Sequence, residues 1–190
     1  EPTAESLFET VKNTNAVAVM FEVIRGEGGV IPISADFAKA LKSLQQKGVL
    51  LIADEVQTGN GRTGKLYGYM NYGLQPDIIT TAKGLGGGLP IAATMLSAKL
   101  GKIFTPGTNG STFGGNPVCC AGALNVIKRI DGRLLEDVKE KSEYIFEYLS
   151  DKKGINAVSG LGLMIGISTV KPAAAVAKEC LKNGVLVLTA

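Results

Sequence analysis

The sequence predicts an α/β protein with a mainly parallel sheet. Two continuous apolar runs of strand length, residues 16–21 and 49–53, flank residues 34–47, whose apolar side chains repeat with helical spacing. A strand, a crossover helix and a second strand in this order are typical of parallel sheets. Hydrophobic residues form 45% of the 190 residues and charged residues 19%, which favours a globular protein over a disordered one.

Local patterns predict six elements in the first hundred residues. Helices are predicted at residues 5–14 and 34–47, and strands at residues 16–21, 49–53, 78–81 and 91–96. Ser34 is a typical N-cap for the second helix, and Gly48 ends it. The unbroken apolar run at residues 16–21 predicts a strand buried on both faces, as parallel sheets require.

The second half of the chain has a different pattern. Further helices are predicted at residues 116–130, 134–149 and 173–181, short strands around Gly160 and Gly162, and a last strand at residues 185–188. Pro117, at the first turn, supports the first of these helices. We place a domain boundary near residues 131–135, so that residues 1–132 belong to one domain and residues 133–190 to part of another. Both ends are expected to interrupt a longer α/β pattern.

The composition excludes several classes of function. The net charge of +3, from 20 basic and 17 acidic residues, is too small to predict a nucleic-acid or membrane partner. The sequence has no histidine, which excludes histidine-based metal sites and Ser-His-Asp triads, and no metal site is predicted. Three cysteines without a C-x-x-C spacing predict reduced thiols, and the acidic start lacks the features of a signal peptide. We therefore expect a cytoplasmic protein.

Ionisable residues collect where predicted strands end. Glu22, Asp54 and Lys83 each follow a strand, and ligands bind beyond the carboxyl ends of the strands in α/β sheets. A salt bridge, or charges turned to solvent, would account equally well for this placement. Four glycines among residues 84–88 favour a ligand site, because they admit close backbone approach and predict a crowded, partly dry setting for a nucleophilic amine. A lysine paired with a carboxylate is what pyridoxal phosphate (PLP) requires.

Residues 110–117 form a candidate phosphate site. They supply hydroxyls and backbone N–H groups just before a predicted helix N-terminus, where anions bind readily. An ordinary helix cap would account for the same pattern.

Five motifs carry a specific resemblance. They are residues 54–59 (DEVQTG), 61–65 (GRTGK), 76–78 (PDI), 82–90 (AKGLGGGLP) and 110–117 (GSTFGGNP). In order and spacing they resemble the class III PLP-dependent aminotransferases. Residues 22–29 are similar to the family's Glu-Pro-x-Gln-Gly-Glu-Gly-Gly element, with Val23 and Arg25 in place of its Pro and Gln. The resemblance implies the large domain of a fold-type-I PLP transferase, with a mainly parallel sheet, and part of a small α+β C-terminal domain.

The resemblance implies a role for each matching residue near the cofactor. Lys83 would hold PLP through a Schiff base and move the proton between the substrate carbon and the cofactor. Asp54 would pair with the pyridinium nitrogen, Val56 would pack on a ring face, and Gln57 would hydrogen-bond near the phenolic oxygen. Glu55 lies in the same segment and is included among the cofactor-binding residues.

The resemblance also implies a homodimer with shared active sites. Thr112 would bind the phosphate of the neighbouring subunit's cofactor, and Ser111 would lie near that subunit's substrate. Glu27 is similar to the family's switch glutamate, which pairs with an arginine and releases it to bind the carboxylate of glutamate or 2-oxoglutarate. Glu22 is included with Glu27 among the substrate-binding residues.

Within the family, the sequence most resembles the acetylornithine aminotransferases, although Asn109 stands where they usually have histidine. This likeness implies PLP-dependent transfer of the δ-amino group of N2-acetylornithine to 2-oxoglutarate, a step of arginine biosynthesis. Ornithine or 4-aminobutyrate aminotransferase is the alternative within the family. A third reading is a folded but inactive fragment of such an enzyme that holds no cofactor.

Overall fold

The structure, a computed structural model, describes residues 2–189. Its helices are α1 (Ala4–Thr14), α2 (Ala35–Gln46), α3 (Pro117–Arg129), α4 (Gly132–Ser150) and α5 (Ala173–Lys182). Its strands are β1 (Ala18–Phe21), β2 (Ile24–Arg25), β3 (Ile31–Pro32), β4 (Leu50–Asp54), β5 (Ile78–Thr81), β6 (Ala93–Leu96), β7 (Ile155–Leu161) and β8 (Met164–Thr169). Short 3₁₀ helices lie at Gly68–Tyr72, Lys83–Gly86 and Ala98–Leu100.

The central sheet has four strands in the order β1-β4-β5-β6. The first three run parallel, and β6 pairs antiparallel with β5. Phe21 of β1 pairs with Ala53 of β4, and Asp54 of β4 pairs with Thr80 of β5. The mainly parallel α/β fold predicted from the sequence is confirmed, and this register places the carboxyl ends of three neighbouring strands at one edge.

The core lies between α2 and the sheet. The side chain of Ser34 accepts a hydrogen bond from the Phe37 backbone N–H (3.1 Å) and starts α2 as predicted. Leu41 of α2 and Leu51 of β4 are both fully buried in one apolar cluster with Phe37. Burial of each such leucine contributes about 1.5–3 kcal/mol, so this face holds the helix against the strands.

The hairpin of β7 and β8 packs onto the same core. Met164 of β8 belongs to the apolar cluster beneath α2. The Leu163 backbone N–H donates to the carbonyl of Arg62 (2.9 Å), which lies in the segment that follows β4. Asp131 caps α4 by accepting from the Leu134 N–H (2.8 Å), within the region where we place the domain boundary. The boundary itself stays a prediction.

Three predicted strands differ from the structure. The prediction that residues 16–21 are buried on both faces is wrong, because β1 is an edge strand and its Met20 is 60% exposed. The fourth strand begins at Ala93, two residues later than predicted. The predicted strand at residues 185–188 is wrong: these residues form no ladder with another part of the described chain, and Leu188 is 98% exposed. An apolar run becomes a strand only when a neighbour pairs with its backbone groups.

Within residues 2–189, the search for a helix with the length and apolar character to cross a membrane finds none. The same residues contain no group of three or more Cys, Asp or Glu side chains arranged to hold a metal ion.

Candidate active site

Three of the predicted site residues lie at the carboxyl edge of the parallel strands. Glu22 and Asp54 each follow a residue of the Phe21–Ala53 pair, so they are neighbours in the register of β1 and β4. Asp54 in turn pairs with Thr80 of β5, and Lys83 follows Thr80 by three residues, just beyond the end of β5. The sheet therefore brings a carboxylate and an amine to neighbouring strand ends, as the sequence predicted.

Asp54 is held by the protein through one of its two oxygens. Its Oδ1 accepts hydrogen bonds from the Val56 backbone N–H (3.0 Å) and from the Thr80 hydroxyl (3.4 Å). Its Oδ2 has no hydrogen-bond partner among residues 2–189, and the residue is only half-buried. A carboxylate oriented in this way can accept a charge-assisted hydrogen bond from a protonated ring nitrogen, so Asp54 fits PLP.

Lys83 begins the 3₁₀ helix Lys83–Gly86 in an unusual backbone conformation. Its φ is +46°, in the left-handed region that residues other than glycine seldom adopt. Such conformations cost about 1–3 kcal/mol and persist only where the surroundings hold them. The partly dry setting predicted for its amine is wrong for the described chain, because the Lys83 side chain is exposed.

The loop after β1 lies against Gln57. A Cβ added at Gly26 would stand 2.9 Å from Gln57 Nε2, so a larger residue here would displace the end of the Gln57 side chain. The Gly26 N–H donates to Glu22 Oε2 at 3.4 Å, which draws the Glu22 carboxylate to the same loop. Glu27 follows in this loop and is exposed. Glu22 and Gln57 are thus brought to one side of the strand ends.

Glu55 is used inside the protein. It is fully buried, and its Oε2 accepts from the Thr58 hydroxyl and the Gly68 N–H, while its Oε1 accepts from the Tyr69 N–H, all at 2.7 Å. Burial raises the pKa of Glu55, and these three hydrogen bonds oppose part of that rise. Both carboxylate oxygens therefore accept from N–H groups of the 3₁₀ helix Gly68–Tyr72, and one of them also accepts from the Thr58 hydroxyl. This arrangement favours a structural role for Glu55 over contact with a cofactor.

The predicted phosphate segment is separate from the strand ends. Ser111 and Thr112 lie in an exposed stretch, and no hydrogen bond joins either to Asp54 or Lys83 within the described part of the chain. Asn116 caps the following helix α3, its Oδ1 accepting from the Cys119 N–H (3.0 Å). The structure thus contains the helix cap, and the role of Ser111 and Thr112 in a neighbouring subunit stays a prediction.

One contact near Lys83 is missing from the sequence-based predictions. The Asn60 side-chain amide donates to the Thr81 hydroxyl (3.2 Å) and to the Ala82 carbonyl (3.3 Å), the two residues that precede Lys83. The only sequence signal for this residue is an asparagine between the glycines Gly59 and Gly61, where a left-handed turn is favoured.

The comparisons with known proteins agree on one family. A family model described as aminotransferase class-III matches residues 2–190. The acetylornithine aminotransferase of Lactococcus lactis is 48% identical over 179 residues, which cover 91% of this chain and 48% of that protein. The chain therefore spans about half the length of the curated relatives it matches.

Solved structures support the same assignment. The N-acetylornithine aminotransferase of Stenotrophomonas maltophilia is similar with a TM-score of 0.87 and 31% identity, over 98% of this chain and 51% of that one. An ornithine aminotransferase from Toxoplasma gondii, whose structure has partial occupancy of PLP at its active site, is similar with a TM-score of 0.86 and 33% identity, over 97% of this chain and 46% of that one. The match over the whole described chain, together with the lysine and carboxylate at adjacent strand ends, shows that the chain belongs to the class III aminotransferases, PLP-dependent enzymes of fold type I.

Proposed function

We propose that the protein transfers the δ-amino group of N2-acetylornithine to 2-oxoglutarate. The single observation that carries the chemistry is the placement of Asp54 at the carboxyl end of β4 and of Lys83 just beyond the carboxyl end of the neighbouring parallel strand β5. The choice of amino donor is supported by the identity of 48% to an acetylornithine aminotransferase. Arginine biosynthesis is the context in which such a reaction serves a cell.

PLP, when bound, supplies an electron sink for the charge that develops at the amino-bearing carbon. Lys83 would hold the cofactor through its Nζ, and the same amine, once displaced by the incoming amino donor, would carry a proton to and from the substrate. Asp54, oriented by the Val56 N–H and the Thr80 hydroxyl, would hold the proton on the ring nitrogen through its second oxygen. The side chains of Val56 and Gln57 would border the ring, and Glu55 holds the segment that carries them through its bonds to Thr58, Gly68 and Tyr69.

Substrate recognition is proposed for the loop after β1 and for the exposed segment before α3. Glu22 and Glu27 lie in the loop that packs against Gln57, so they border the same crevice. Ser111 and Thr112 are exposed in this chain, which is consistent with a role toward a second copy. The enzyme in this proposal is a homodimer in which each active site uses residues of both subunits. Residues 1–132 belong to its large domain, and residues 133–190 belong to its small domain.

Ornithine is the second candidate for the amino donor. The similarity to the Toxoplasma gondii ornithine aminotransferase, at 33% identity, favours it specifically. N2-acetylornithine and ornithine differ at the α-amino group, which is neutral in the first and charged in the second. Initial rates with both donors at equal concentration, with 2-oxoglutarate as acceptor, decide between them by the ratio of kcat/KM.

The proposed chemistry is tested by trapping the lysine. Borohydride reduction of the protein with PLP, followed by peptide mapping, should label the peptide that contains Lys83. Lys83→Ala should remove the label and lower kcat by several orders of magnitude, because covalent attachment and proton transfer are both lost. Lys178→Ala, an exposed lysine on α5, serves as control and should change neither. A label on another lysine, such as Lys65 or Lys99, would refute the assignment.

A further inference from the structure

We propose that Asn60 is a positioning residue that holds the peptide preceding Lys83 in its catalytic orientation. The inference rests on the proposed function for the role of Lys83, but the contacts that support it belong to this chain alone. Asn60 does not touch the reacting atoms in this proposal; it acts through the backbone of residues 81–84.

The side chain of Asn60 lies over both flanks of Lys83. Its Nδ2 donates to the Thr81 hydroxyl (3.2 Å) and to the Ala82 carbonyl (3.3 Å) on the N-terminal flank. On the C-terminal flank, the backbone of Gly84 lies near Asn60: a Cβ added to this glycine would stand 3.6 Å from Asn60 Cβ. The amide thus binds the two residues before the lysine, and the side chain lies near the backbone of the residue after it.

The orientation of this amide follows from its partners. The Ala82 carbonyl can only accept a hydrogen bond, so the nitrogen of the amide, and not its oxygen, faces it. The Asn60 Oδ1 is buried and has no partner within residues 2–189. A buried acceptor without a partner is costly, so the two bonds made by Nδ2 are the interactions that hold this side chain in place.

The backbone that Asn60 contacts requires holding. Lys83 has a φ of +46°, in the left-handed region that residues other than glycine seldom adopt. The Ala82 carbonyl also accepts from the Leu85 N–H (3.0 Å), the bond that closes the first turn of Lys83–Gly86. Two donors therefore converge on the carbonyl that precedes Lys83, and one of them is the side chain of Asn60.

Asn60 also connects this peptide to the segment that carries Asp54. It lies in the turn that follows β4, where the Gly59 N–H donates to the Glu55 carbonyl (3.0 Å). Its own φ of +57° suits asparagine, which adopts the left-handed region more readily than most residues. A single side chain therefore links the exit of β4, with Asp54, to the exit of β5, with Lys83.

The test uses two variants that preserve the backbone of the turn. Asn60→Gly keeps the left-handed conformation and removes the amide, whereas Asn60→Asp keeps the shape but cannot donate. Asn15→Gly is the matched control, because Asn15 has a φ of 51° at the exposed end of α1, far along the chain from the site. Each is made in the complete protein, and its thermal unfolding midpoint is recorded to confirm folding.

Two readouts separate positioning from a general structural effect. In the cofactor-free protein, amide hydrogen exchange in peptides covering residues 82–86 should become about tenfold faster in both Asn60 variants. In the protein with PLP, kcat should fall by about tenfold or more while KM for the amino donor stays within about twofold, because a misplaced lysine slows proton transfer without removing substrate contacts. Asn15→Gly should change neither readout.

The outcomes are distinct. Unchanged exchange at residues 82–86 would overturn the contact, and faster exchange with unchanged kcat would overturn the positioning role. A proportional loss of kcat and of the unfolding midpoint would also overturn it, since that is the pattern of a structural residue. Absence of any transaminase activity in the wild-type protein would refute the proposed function, while the exchange experiment on cofactor-free protein would still decide whether Asn60 holds the peptide before Lys83.

Discussion

Asp77 joins the two strands whose ends carry Asp54 and Lys83, and its replacement has a calculable effect. It is almost completely buried at the start of β5, where its Oδ2 accepts from the Leu51 N–H (2.9 Å) and from Gln45 Nε2 (3.1 Å). Its Oδ1 forms an ion pair with Lys99 Nζ at 2.5 Å. In Asp77→Asn, the amide oxygen can take the place of Oδ2 and still accept from Leu51 and Gln45. The amide nitrogen then takes the place of Oδ1 and faces the ammonium of Lys99.

The expected loss at pH 7 is that of one charge-assisted hydrogen bond. Such bonds contribute about 1.5–3 kcal/mol when they are well shielded. The Lys99 side chain is 54% exposed, so screening by solvent reduces the expected loss to about 1–2 kcal/mol. With a urea m-value of about 2 kcal/mol/M, the unfolding midpoint should fall by about 0.5–1 M.

The loss should depend on pH with a definite sign. Burial alone would raise the pKa of Asp77, but the hydrogen bonds from Lys99, Leu51 and Gln45 outweigh it and lower the pKa below its ordinary value of 3.8. A carboxyl whose pKa is lowered by folding contributes stability above its unfolded pKa and loses it as the pH falls through the folded pKa. The difference in stability between wild type and Asp77→Asn should be constant from pH 7 to about pH 5 and should decrease as the pH falls below the ordinary carboxyl pKa of 3.8.

Asp36→Asn supplies the matched control. Asp36 also forms an ion pair with a lysine, Lys39, at 2.9 Å, but both side chains are more than three-quarters exposed. Urea unfolding of this variant should be indistinguishable from wild type, because exposed pairs contribute little. An equal effect of Asp36→Asn and Asp77→Asn, or an Asp77→Asn difference that persists unchanged at pH 2, would refute the reasoning.

Three further predictions concern the site and its support. Asp54→Asn should leave the urea midpoint and PLP binding nearly unchanged but lower kcat by about 100-fold or more, because the charge that holds the ring-nitrogen proton is lost. A near-normal kcat would contradict the proposed role of Asp54. Burial raises the pKa of Glu55, so the stability that this residue contributes is complete below its unfolded pKa of 4.5 and is lost as the pH rises through its folded pKa. Glu55→Gln should remove this pH dependence from urea unfolding measured above pH 4.5. An unaltered pH profile would exclude Glu55 as the source of the dependence. Because Lys83 is exposed, the 190-residue chain alone should bind PLP weakly, and because Phe113 is 82% exposed, the chain should self-associate. A PLP titration measures the first effect and light scattering the second. Tight binding of PLP by a monomer would contradict this prediction.

The positions of the strand ends could be predicted from the sequence because they depend on local signals. The apolar run at residues 49–53 stops at Asp54, and the short run at residues 78–81 stops just before Lys83, so each functional side chain is marked by an abrupt change of polarity. Parallel pairing then brings those ends to one edge without further information. The helix α2 was predictable for the same reason, since Ser34 and Gly48 mark its two ends.

Features that depend on distant contacts could not be predicted in this way. Residues 185–188 have the composition of a strand, but a strand also needs a neighbour whose identity no local pattern reveals. The burial of Met20 depends on whether β1 lies at the edge of the sheet, which is a property of topology. The exposure of Lys83 likewise depends on what covers the strand ends. The glycines beside Lys83 indicate only that a ligand can come close to the backbone, and they do not predict how far the lysine side chain is buried.

Asp54 and Glu55 mark the limit of sequence reasoning most clearly. They are adjacent carboxylates in one motif, yet Asp54 has an oxygen without a partner in the described chain, whereas every oxygen of Glu55 accepts from the segment around Gly68. Successive side chains at the end of a strand point to opposite sides, so one of two adjacent acids must leave the crevice. The sequence could predict that an acid serves the site, but the choice between them follows from the donors that Thr58, Gly68 and Tyr69 place around Glu55.

The distance between the proposed acid and the proposed amine is controlled at two points away from both. At the start of β5, Asp77 accepts from the Leu51 N–H and sets the register of β5 against β4. At the end of β5, Asn60 donates to the Ala82 carbonyl from the turn that follows β4. These contacts hold the strand pair at both ends in addition to the backbone pairing of β4 with β5, so polar groups outside the crevice help to set the relation of Asp54 to Lys83. Loss of the Asn60 contact, the nearer to Lys83, should therefore lower kcat by more than its effect on the unfolding midpoint accounts for.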